Sequence, residues 1–342
     1  MMRIIFVLLV SILSLFANPI ASAAQDKLEV VELDYNLYAI INPQGGNIAF
    51  LVTRKGVVVV DAGSTPQNGR DIVEAIRAIT RKPIKYLIIT HLHGDHVNGI
   101  AGFPQDIKII AHKDLEKNNE IFNQENLANY MENVLPEHLA SLKKQLDTIS
   151  DTDSQEYGEL MNTYNAHVDY LENIKQIEFR KPDIVFEDYY RFKLADERIM
   201  LEYPGPGHTS DNIVVKFSNH NVIHTGDLVF DGSFPYLIIE HGVDVYNWVR
   251  ILDDLYKENI NTVIPGHGEI GRKIALKDQS DYFKNLSHRI EALMNAGHDL
   301  NEIKERINIS DFRLKGNEDQ LPINIEVIYS ELNNKGRDWW KF

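Results

Sequence analysis

A cluster of metal-binding side chains follows a short apolar run near position 90. Residues 90–99 hold three histidines and one aspartate within six positions, directly after the apolar run 86–89. Imidazole and carboxylate groups are ligands that suit zinc and similar divalent ions. The segment therefore predicts part of a metal site, in preference to a polar loop that is merely rich in histidine. Its candidate ligands are His91, His93, Asp95 and His96.

Three further residues of ligand type occur later in the chain, each directly after a glycine: His208, Asp227 and His267. Each of them also lies where a strand-like segment ends. Glycine allows the backbone to turn sharply at such a point. Open α/β sheets place their ligand sites at the edge where strands end. We therefore expect these three side chains to lie over a sheet edge, as the first cluster does.

The segments that must position these residues are short strands and helices in alternation. Apolar runs at 30–31, 37–41, 48–52 and 57–60 predict a strand meander, with turns at 43–47 and 54–56. A helix is expected over 66–79, capped by Ser64 or Thr65, before the strand that leads into residues 90–99. Later strands are predicted at 107–111, 184–186, 190–194, 199–203, 213–217, 222–225 and 262–264, with a helix at 245–256. This order is typical of a layered α/β domain.

Residues from about 114 to 177 differ from the rest because they are acidic and have helical periodicity. Pro136 is expected to begin a new helix there, and residues 151–154 to separate two helices. We interpret the segment as a helical insert. Two roles stay open for it: a lid over the metal cluster, or an edge cover or dimer contact. Amphipathic C-terminal helices are expected over about 275–342, with a break at Gly297.

Composition limits the classes of function. The chain has 342 residues, a formal charge of −15 and a pI near 5.3, and it lacks a basic stripe. We therefore expect a small-molecule substrate and no nucleic-acid partner. No cysteine is present, so any metal ligands must be His, Asp or Glu. The oligomeric state is not predicted by these features.

The first 23 residues have the pattern of a cleavable signal peptide. A positive start, Met1-Met2-Arg3, precedes an apolar stretch at 4–16 that is short for a membrane span. Ala21-Ser22-Ala23 is a small-x-small cleavage site, and no cysteine follows for lipid attachment. We expect a periplasmic or secreted protein cut after Ala23, with no stable membrane anchor after cleavage and one domain over residues 24–342.

The motifs His-x-His-x-Asp-His, Gly-His-Thr, Gly-Asp and Pro-Gly-His-Gly, in this order, resemble the metallo-β-lactamase fold superfamily. Asp61, which follows four valines, is also typical of that superfamily. The resemblance covers the mature chain outside the insert. It implies an α/β fold, a four-layer αββα sandwich with metals at one edge between two sheets.

The resemblance also implies a role for each candidate ligand. His91, His93 and His208 would bind one ion, Asp95, His96 and His267 a second, and Asp227 would bridge both. The expected cofactors are two Zn²⁺ ions, with iron or manganese as alternatives. Two close dications would lower the pKa of a bridging water and give a hydroxide nucleophile. Asp95 and Asp227 are the expected catalytic residues, and Asp61 would fix a ligand histidine or the loop.

The implied activity is that of an exported dinuclear zinc hydrolase, acting on an ester, thioester, lactone or amide bond, with β-lactams among the options. Lack of cysteine excludes the β-lactamases that use a cysteine ligand. Asp227 is more similar to glyoxalase II-like hydrolases, although no basic C-terminal cluster suggests glutathione. Residues 226–236 resemble exported members found near quinoprotein and sulfur-oxidation systems. The alternatives are an iron-dependent redox enzyme, such as a sulfur dioxygenase, and a non-catalytic metal-binding domain.

The other histidines and two aromatic features receive structural interpretations. His112 and His224 are expected to pack near the site without binding metal. Tyr236 is interpreted as an ordinary aromatic side chain, with an oxyanion-stabilising role as the alternative. Trp339-Trp340 is interpreted as packing. The scattered histidines are predicted to lie at the surface: His138, His167, His220, His241, His288 and His298.

Overall fold

A seven-stranded mixed sheet forms the first half of the fold. The computed structural model describes residues 28–42 and 44–335, so the predicted signal segment and Trp339-Trp340 lie outside the described residues. The strands follow one another across the sheet in chain order: β1 Glu29–Asp34, β2 Leu37–Ile41, β3 Ile48–Thr53, β4 Gly56–Val60, β5 Ile84–Ile88, β6 Lys108–His112 and β7 Ile184–Phe186. The predicted meander, β1 to β4, is antiparallel, and β4 to β7 are parallel.

A second sheet has six strands in the order β13-β12-β11-β10-β9-β8. They are β8 Tyr189–Leu194, β9 Glu197–Glu202, β10 Val214–Phe217, β11 Val222–His224, β12 Thr262–Ile264 and β13 Gly271–Arg272. Neighbouring strands are antiparallel except for β11 and β12, which are parallel. The carboxyl ends of β11 and β12 therefore meet at one edge of this sheet.

Helices alternate with the strands and cover the outer faces of both sheets. Their bounds are α1 Pro66–Ile79, α2 Gly94–Val97, α3 Leu115–Asn118, α4 Glu125–Asn129, α5 Leu135–Leu146, α6 Gln155–Ile174, α7 Val245–Lys257, α8 Ile274–Asn295, α9 Leu300–Arg306 and α10 Leu321–Lys335. Thr65, one of the two predicted caps, accepts a hydrogen bond from the Asn68 backbone nitrogen at the start of α1. Gly297, with φ of +89°, lies between α8 and α9, where a break was predicted.

Three apolar cores define four layers. Between the sheets, Val58 and Ile88 of the first pack with Leu201 and Val215 of the second. On the outer face of the first sheet, Ile72 of α1 joins a second core. A third core, on the outer face of the second sheet, holds the fully buried Trp248 of α7 and Phe283 of α8. The αββα sandwich expected from the sequence is confirmed.

The insert occupies residues 115–174, between β6 and β7. Its first arm continues without a break from α3 to α5, through two π-helical stretches at Asn119–Gln124 and Tyr130–Val134. Pro136 lies in the first turn of α5, but it does not begin a separate helix as predicted, because the π-helical stretch Tyr130–Val134 runs directly into α5. Ser154 caps α6. Tyr130, Leu135 and Ile174 form a small core between the two arms. Among the described residues, no helix is long and apolar enough to cross a bilayer.

Candidate metal centre

The four candidate ligands that follow β5 are divided by a change of backbone conformation. His93 is still extended, with φ of −63° and ψ of 143°, whereas Asp95 and His96 lie in α2, which begins at the next residue. Because extended and helical backbones direct side chains differently, one short segment can serve two groups. His91 and His93 join the first group, and Asp95 and His96 join the second.

The first group comprises His91, His93, His208 and Asp227, all of them buried. Each offers one ligand atom, and these atoms all lie within 4.8 Å of one another. His93 Nδ1 is 2.9 Å from His208 Nε2, and Asp227 Oδ2 is 3.3 Å from His208 Nε2. The structure thus brings together the residues predicted for the first ion, including the proposed bridge.

The second group comprises Asp95, His96 and His267, again with ligand atoms within 4.8 Å of one another. His267 Nε2 lies 3.0 Å from Asp95 Oδ2. Asp227 approaches this group as well, with Oδ1 at 3.1 Å from His96 Nε2 and Oδ2 at 3.4 Å from His267 Nε2. One carboxylate therefore contacts members of both groups.

Several buried polar atoms of the two groups make no hydrogen bond of normal geometry with the described residues: His91 Nε2, and the 3.1 Å pair of His96 Nε2 and Asp227 Oδ1. Unpaired buried polar atoms are rare in folded proteins and call for a ligand. Imidazole nitrogens and carboxylate oxygens are the donors that a divalent cation such as zinc prefers. The residues therefore fit a metal, and they form a buried metal-binding cluster.

The histidines of the cluster differ in pKa, because their electrostatic surroundings differ. Burial lowers the pKa of His91 and His93 well below the ordinary value and that of His208 to about 4. These rings are neutral, which is the form that binds metal. Burial acts in the same direction on His267, but the carboxylates of Asp227 and Asp95 outweigh it and raise its pKa to about 10. Metal binding at His267 must therefore displace a proton.

The carboxylates of the cluster are ionised. Burial alone would raise the pKa of Asp95 and of Asp227. The charges of His96 and His267 oppose this, so both pKa values lie well below the ordinary value. Ionised carboxylates are the form that coordinates a cation.

Asp61 positions one ligand and the segment that carries the others. Its Oδ2 lies 2.8 Å from His96 Nδ1, and its two oxygens accept hydrogen bonds from the Thr90 backbone nitrogen and hydroxyl. Asp61 has φ of +67°, a left-handed conformation that aspartate adopts more readily than most residues. The bond to His96 Nδ1 leaves Nε2 of that ring free to face the metal site.

His241 corrects one prediction, since it is buried at 8 % exposure and does not lie at the surface. Its Nδ1 is 2.8 Å from His93 Nε2, and its ring packs on Phe122 of the insert with centroids 4.8 Å apart. The residue belongs to a 3₁₀ turn that ends at the left-handed Gly242. No spacing in the sequence marks it, because the turn acquires its partners only through tertiary packing.

His112 and His224 pack as the sequence suggested, outside both groups. His112 stacks on Tyr203 with centroids 4.1 Å apart, and its Nδ1 accepts a hydrogen bond from the Asp114 backbone. His224 Nε2 lies 2.9 Å from the carbonyl oxygen of Asn47. Both rings therefore support the protein around the site.

Of the other scattered histidines, His138 and His288 are exposed and His167 and His298 are half-buried. His220 is less exposed than predicted, because its ring lies between Asp34 and Glu197 at 2.7 and 3.2 Å. These histidines contribute to neither group of metal-type residues.

Tyr236 has the ordinary aromatic environment that we favoured. Its hydroxyl donates a hydrogen bond to Asn317 Oδ1 at 3.4 Å, and its ring lies 6.0 Å from that of Phe230. Burial raises the pKa of Tyr236 to about 12, so the hydroxyl is neutral.

A cavity of about 50 Å³ adjoins the metal-binding cluster. One side is formed by His93 and Asp95 of the metal-binding cluster and by His241, which contacts His93. The other side comes from the insert: Phe122, Asn123, Asn126, Leu127 and Tyr170. Of the two roles left open by the sequence, the position of the insert therefore favours a lid over the metal cluster.

Comparison with known proteins identifies relatives of this fold. A family model described as the metallo-beta-lactamase superfamily matches residues 41–267. A metallo-beta-lactamase type 2 from Bacillus cereus is 25% identical over 236 residues, covering 68% of this chain and 71% of the relative. A linear primary-alkylsulfatase from Pseudomonas sp. (strain ATCC 19151) is 24% identical over 275 residues, covering 75% of this chain and 48% of the relative.

Among solved structures, the stereoselective inverting sec-alkylsulfatase Pisa1 from Pseudomonas sp. superposes with a TM-score of 0.62 and 17% identity. The match covers 89% of this chain and 50% of that protein. The chain thus spans about half the length of the alkylsulfatases it matches. At this identity the likeness concerns the fold.

Proposed function

Since the chain belongs to the metallo-beta-lactamase superfamily, we propose that it is a dinuclear zinc hydrolase that cleaves an ester, thioester, lactone or amide bond. The resemblance stated from its motifs is confirmed, and so is its place among the metal-dependent hydrolases of the superfamily. We consider β-lactams and alkyl sulfates as candidate substrates as well, because relatives are named for them.

The single observation that carries the proposal is the position of Asp227. Its two carboxylate oxygens lie 3.1 to 3.4 Å from histidine nitrogens of both groups. A carboxylate in such a position can serve two cations at once. His91, His93 and His208 would hold one ion, Asp95, His96 and His267 the other, and Asp227 both.

Two zinc ions would supply a water that ionises near neutral pH and a Lewis acid for the scissile carbonyl. The chain's own groups provide the geometry. Asp61 and His241 hold the rings of His96 and His93 through their second nitrogens. Among the described residues that line the cavity, Asp95 supplies the carboxylate, so it is the group placed to accept or pass a proton beside the substrate.

The test is to measure the metal content of the purified protein by mass spectrometry, together with its activity on ester, thioester, lactone and β-lactam substrates. We expect two zinc ions per chain and hydrolysis that a chelator abolishes. Asp227→Asn should lose at least one ion and most activity. Asp231→Asn, from the same loop but outside both groups, is the matched control. One iron per chain with oxygen uptake would overturn the proposal.

We also propose that the protein is exported and acts on a small molecule, from the pattern of its first 23 residues and its acidic composition. Cell fractionation and N-terminal sequencing test the first point. We expect a periplasmic or secreted chain that begins at Ala24. A cytoplasmic chain that keeps residue 1 would refute it.

A further inference from the structure

The insert forms a wall of the cavity beside the metal-binding cluster. Asn123, Asn126 and Leu127 come from its first arm, and Tyr170 comes from α6 of the second. The two arms are held together by the core of Tyr130, Leu135 and Ile174. Because this core fixes both arms, the wall is a built surface opposite Asp95.

Two side chains of this wall have unused hydrogen-bonding groups. The amide nitrogen of Asn126 donates to the Phe122 carbonyl, while no described residue donates to its side-chain oxygen. The Tyr170 hydroxyl makes no hydrogen bond within the described part of the chain. Burial raises the pKa of this hydroxyl far above its usual range, so it keeps its proton and acts as a donor.

The described residues that line the cavity include neither a lysine nor an arginine, and the carboxylate among them is Asp95. A buried anionic group without a partner is costly. A carboxylate or sulfate at the end of a substrate remote from the metals would have no counter-ion on this wall.

The volume of the cavity limits the size of the group that it can hold. A single water molecule needs about 10–15 Å³. A cavity of about 50 Å³ accommodates a group of a few heavy atoms. It corresponds to a short acyl chain and is smaller than the usual pocket for a drug-sized ligand.

We propose that the insert selects small substrates whose non-reacting end is uncharged, with the Tyr170 hydroxyl donating to a substrate oxygen and Asn126 accepting from a substrate donor or a water. This inference rests on the proposed hydrolase function and names its substrate class. It disfavours penicillins and cephalosporins, which carry a carboxylate beside the scissile ring.

Two esters with the same leaving group test the charge requirement: 4-nitrophenyl butyrate and 4-nitrophenyl hydrogen succinate. Both acyl groups have four carbons, but only the second ends in a carboxylate. With the zinc-loaded full chain, we expect kcat/KM to be at least about tenfold higher for the butyrate, since tenfold equals about 1.4 kcal/mol, the scale of one lost polar interaction.

Asn126→Lys adds a cation to the wall and should shift this preference toward the succinate by about tenfold. Asn133→Lys, an exposed position of the same arm, adds the same charge outside the cavity and should leave the preference unchanged. Tyr170→Phe should lower kcat/KM about tenfold, at unchanged zinc content, for 4-nitrophenyl methoxyacetate, a neutral ester of the same chain length as the butyrate with an ether oxygen in its acyl chain. Tyr164→Phe, on the same helix outside the cavity, is its control.

Calorimetric binding of butyramide and succinamate makes the same comparison without turnover. If the protein lacks zinc or cleaves no substrate of the panel, the hydrolase proposal fails, and the binding data still decide the character of the cavity. Equal binding or turnover of the neutral and anionic ligands by the wild type would overturn the inference. So would an Asn126→Lys variant that behaves like Asn133→Lys.

Discussion

His93 Nε2 lies 2.8 Å from His241 Nδ1, while Nδ1 of the same His93 ring faces His208 and the metal-binding cluster. A ring that binds metal through Nδ1 carries its proton on Nε2. His241 Nδ1 then accepts that proton in a hydrogen bond. Phe122 packs on the His241 ring, so one chain of contacts joins the insert to a metal ligand.

Replacing His241 tests this support. His241→Ala should weaken zinc binding about 10- to 100-fold, the usual effect of losing a partner of a ligand histidine. His241→Gln retains an acceptor and should recover part of the affinity. Competition with a chromophoric chelator measures the dissociation constants. His288→Ala, an exposed histidine, is the control, and an affinity of His241→Ala equal to the wild type would show that the contact is only packing.

Asp61 supports the second group in a similar way. Asp61→Asn tolerates the left-handed backbone and can still accept from the Thr90 backbone, but it loses the charged acceptor for His96 Nδ1. We expect zinc binding at the second site to weaken by about 10- to 100-fold, while the first site retains its ion. Stoichiometry after dialysis against limiting zinc measures this. Asp71→Asn, at a half-buried position of α1 outside the metal-binding cluster, controls for the change of charge, and equal loss from both sites would contradict the assignment.

Metal removal should destabilise the whole fold, because the centre joins residues from both sheets. A ligand present at 100 times its dissociation constant stabilises a protein by about 2.7 kcal/mol. For a protein of this size we therefore expect chelation to lower Tm by at least about 5 °C. Two equivalents of zinc should restore it. Calorimetry of the wild type and of Asp227→Asn, with and without chelator, measures these Tm values. A wild-type Tm that the chelator does not change would argue against a resident metal.

Asp211, a buried carboxyl outside both groups of candidate ligands, predicts a pH dependence of stability. The carboxyl is fully buried, Oδ1 accepts from the Thr209 hydroxyl and Oδ2 has no partner among the described residues. Burial raises its pKa to about 7. The ordinary value in an unfolded chain is about 3.9. The folded state thus favours the protonated form, and its stabilising contribution is lost as pH rises from about 4 through 7.

Asp211→Asn removes this titration. The Tm of the variant minus the Tm of the wild type should therefore increase from pH 4.5 to 8 and then stay constant. Taking the difference cancels the pH dependence that metal binding imposes on both proteins. Asp319→Asn, at an exposed surface position, should show a flat difference. A flat profile for Asp211→Asn as well would refute the raised pKa.

The sequence by itself predicted the described strands apart from β13, the long helices and the candidate ligands. Residues such as His91, Asp227 and His267 follow apolar strands at glycine-rich turns, and strand ends in layered α/β folds meet at an edge. Local patterns therefore determined which side chains reach the site. The alternation of elements predicted a layered α/β domain, and the resemblance of the motifs to the superfamily implied the four-layer sandwich.

Only the tertiary structure decided the surroundings of that site. His241 was mistaken for a surface residue because its turn has no periodicity, and its burial depends on Phe122, more than a hundred residues away. The π-helical stretches of the insert and the position of Tyr170 were equally invisible. They depend on packing between segments that are distant in the chain, which no local pattern of residues records. The candidate metal ligands can thus be predicted from local patterns, whereas the cavity beside them is formed by the fold.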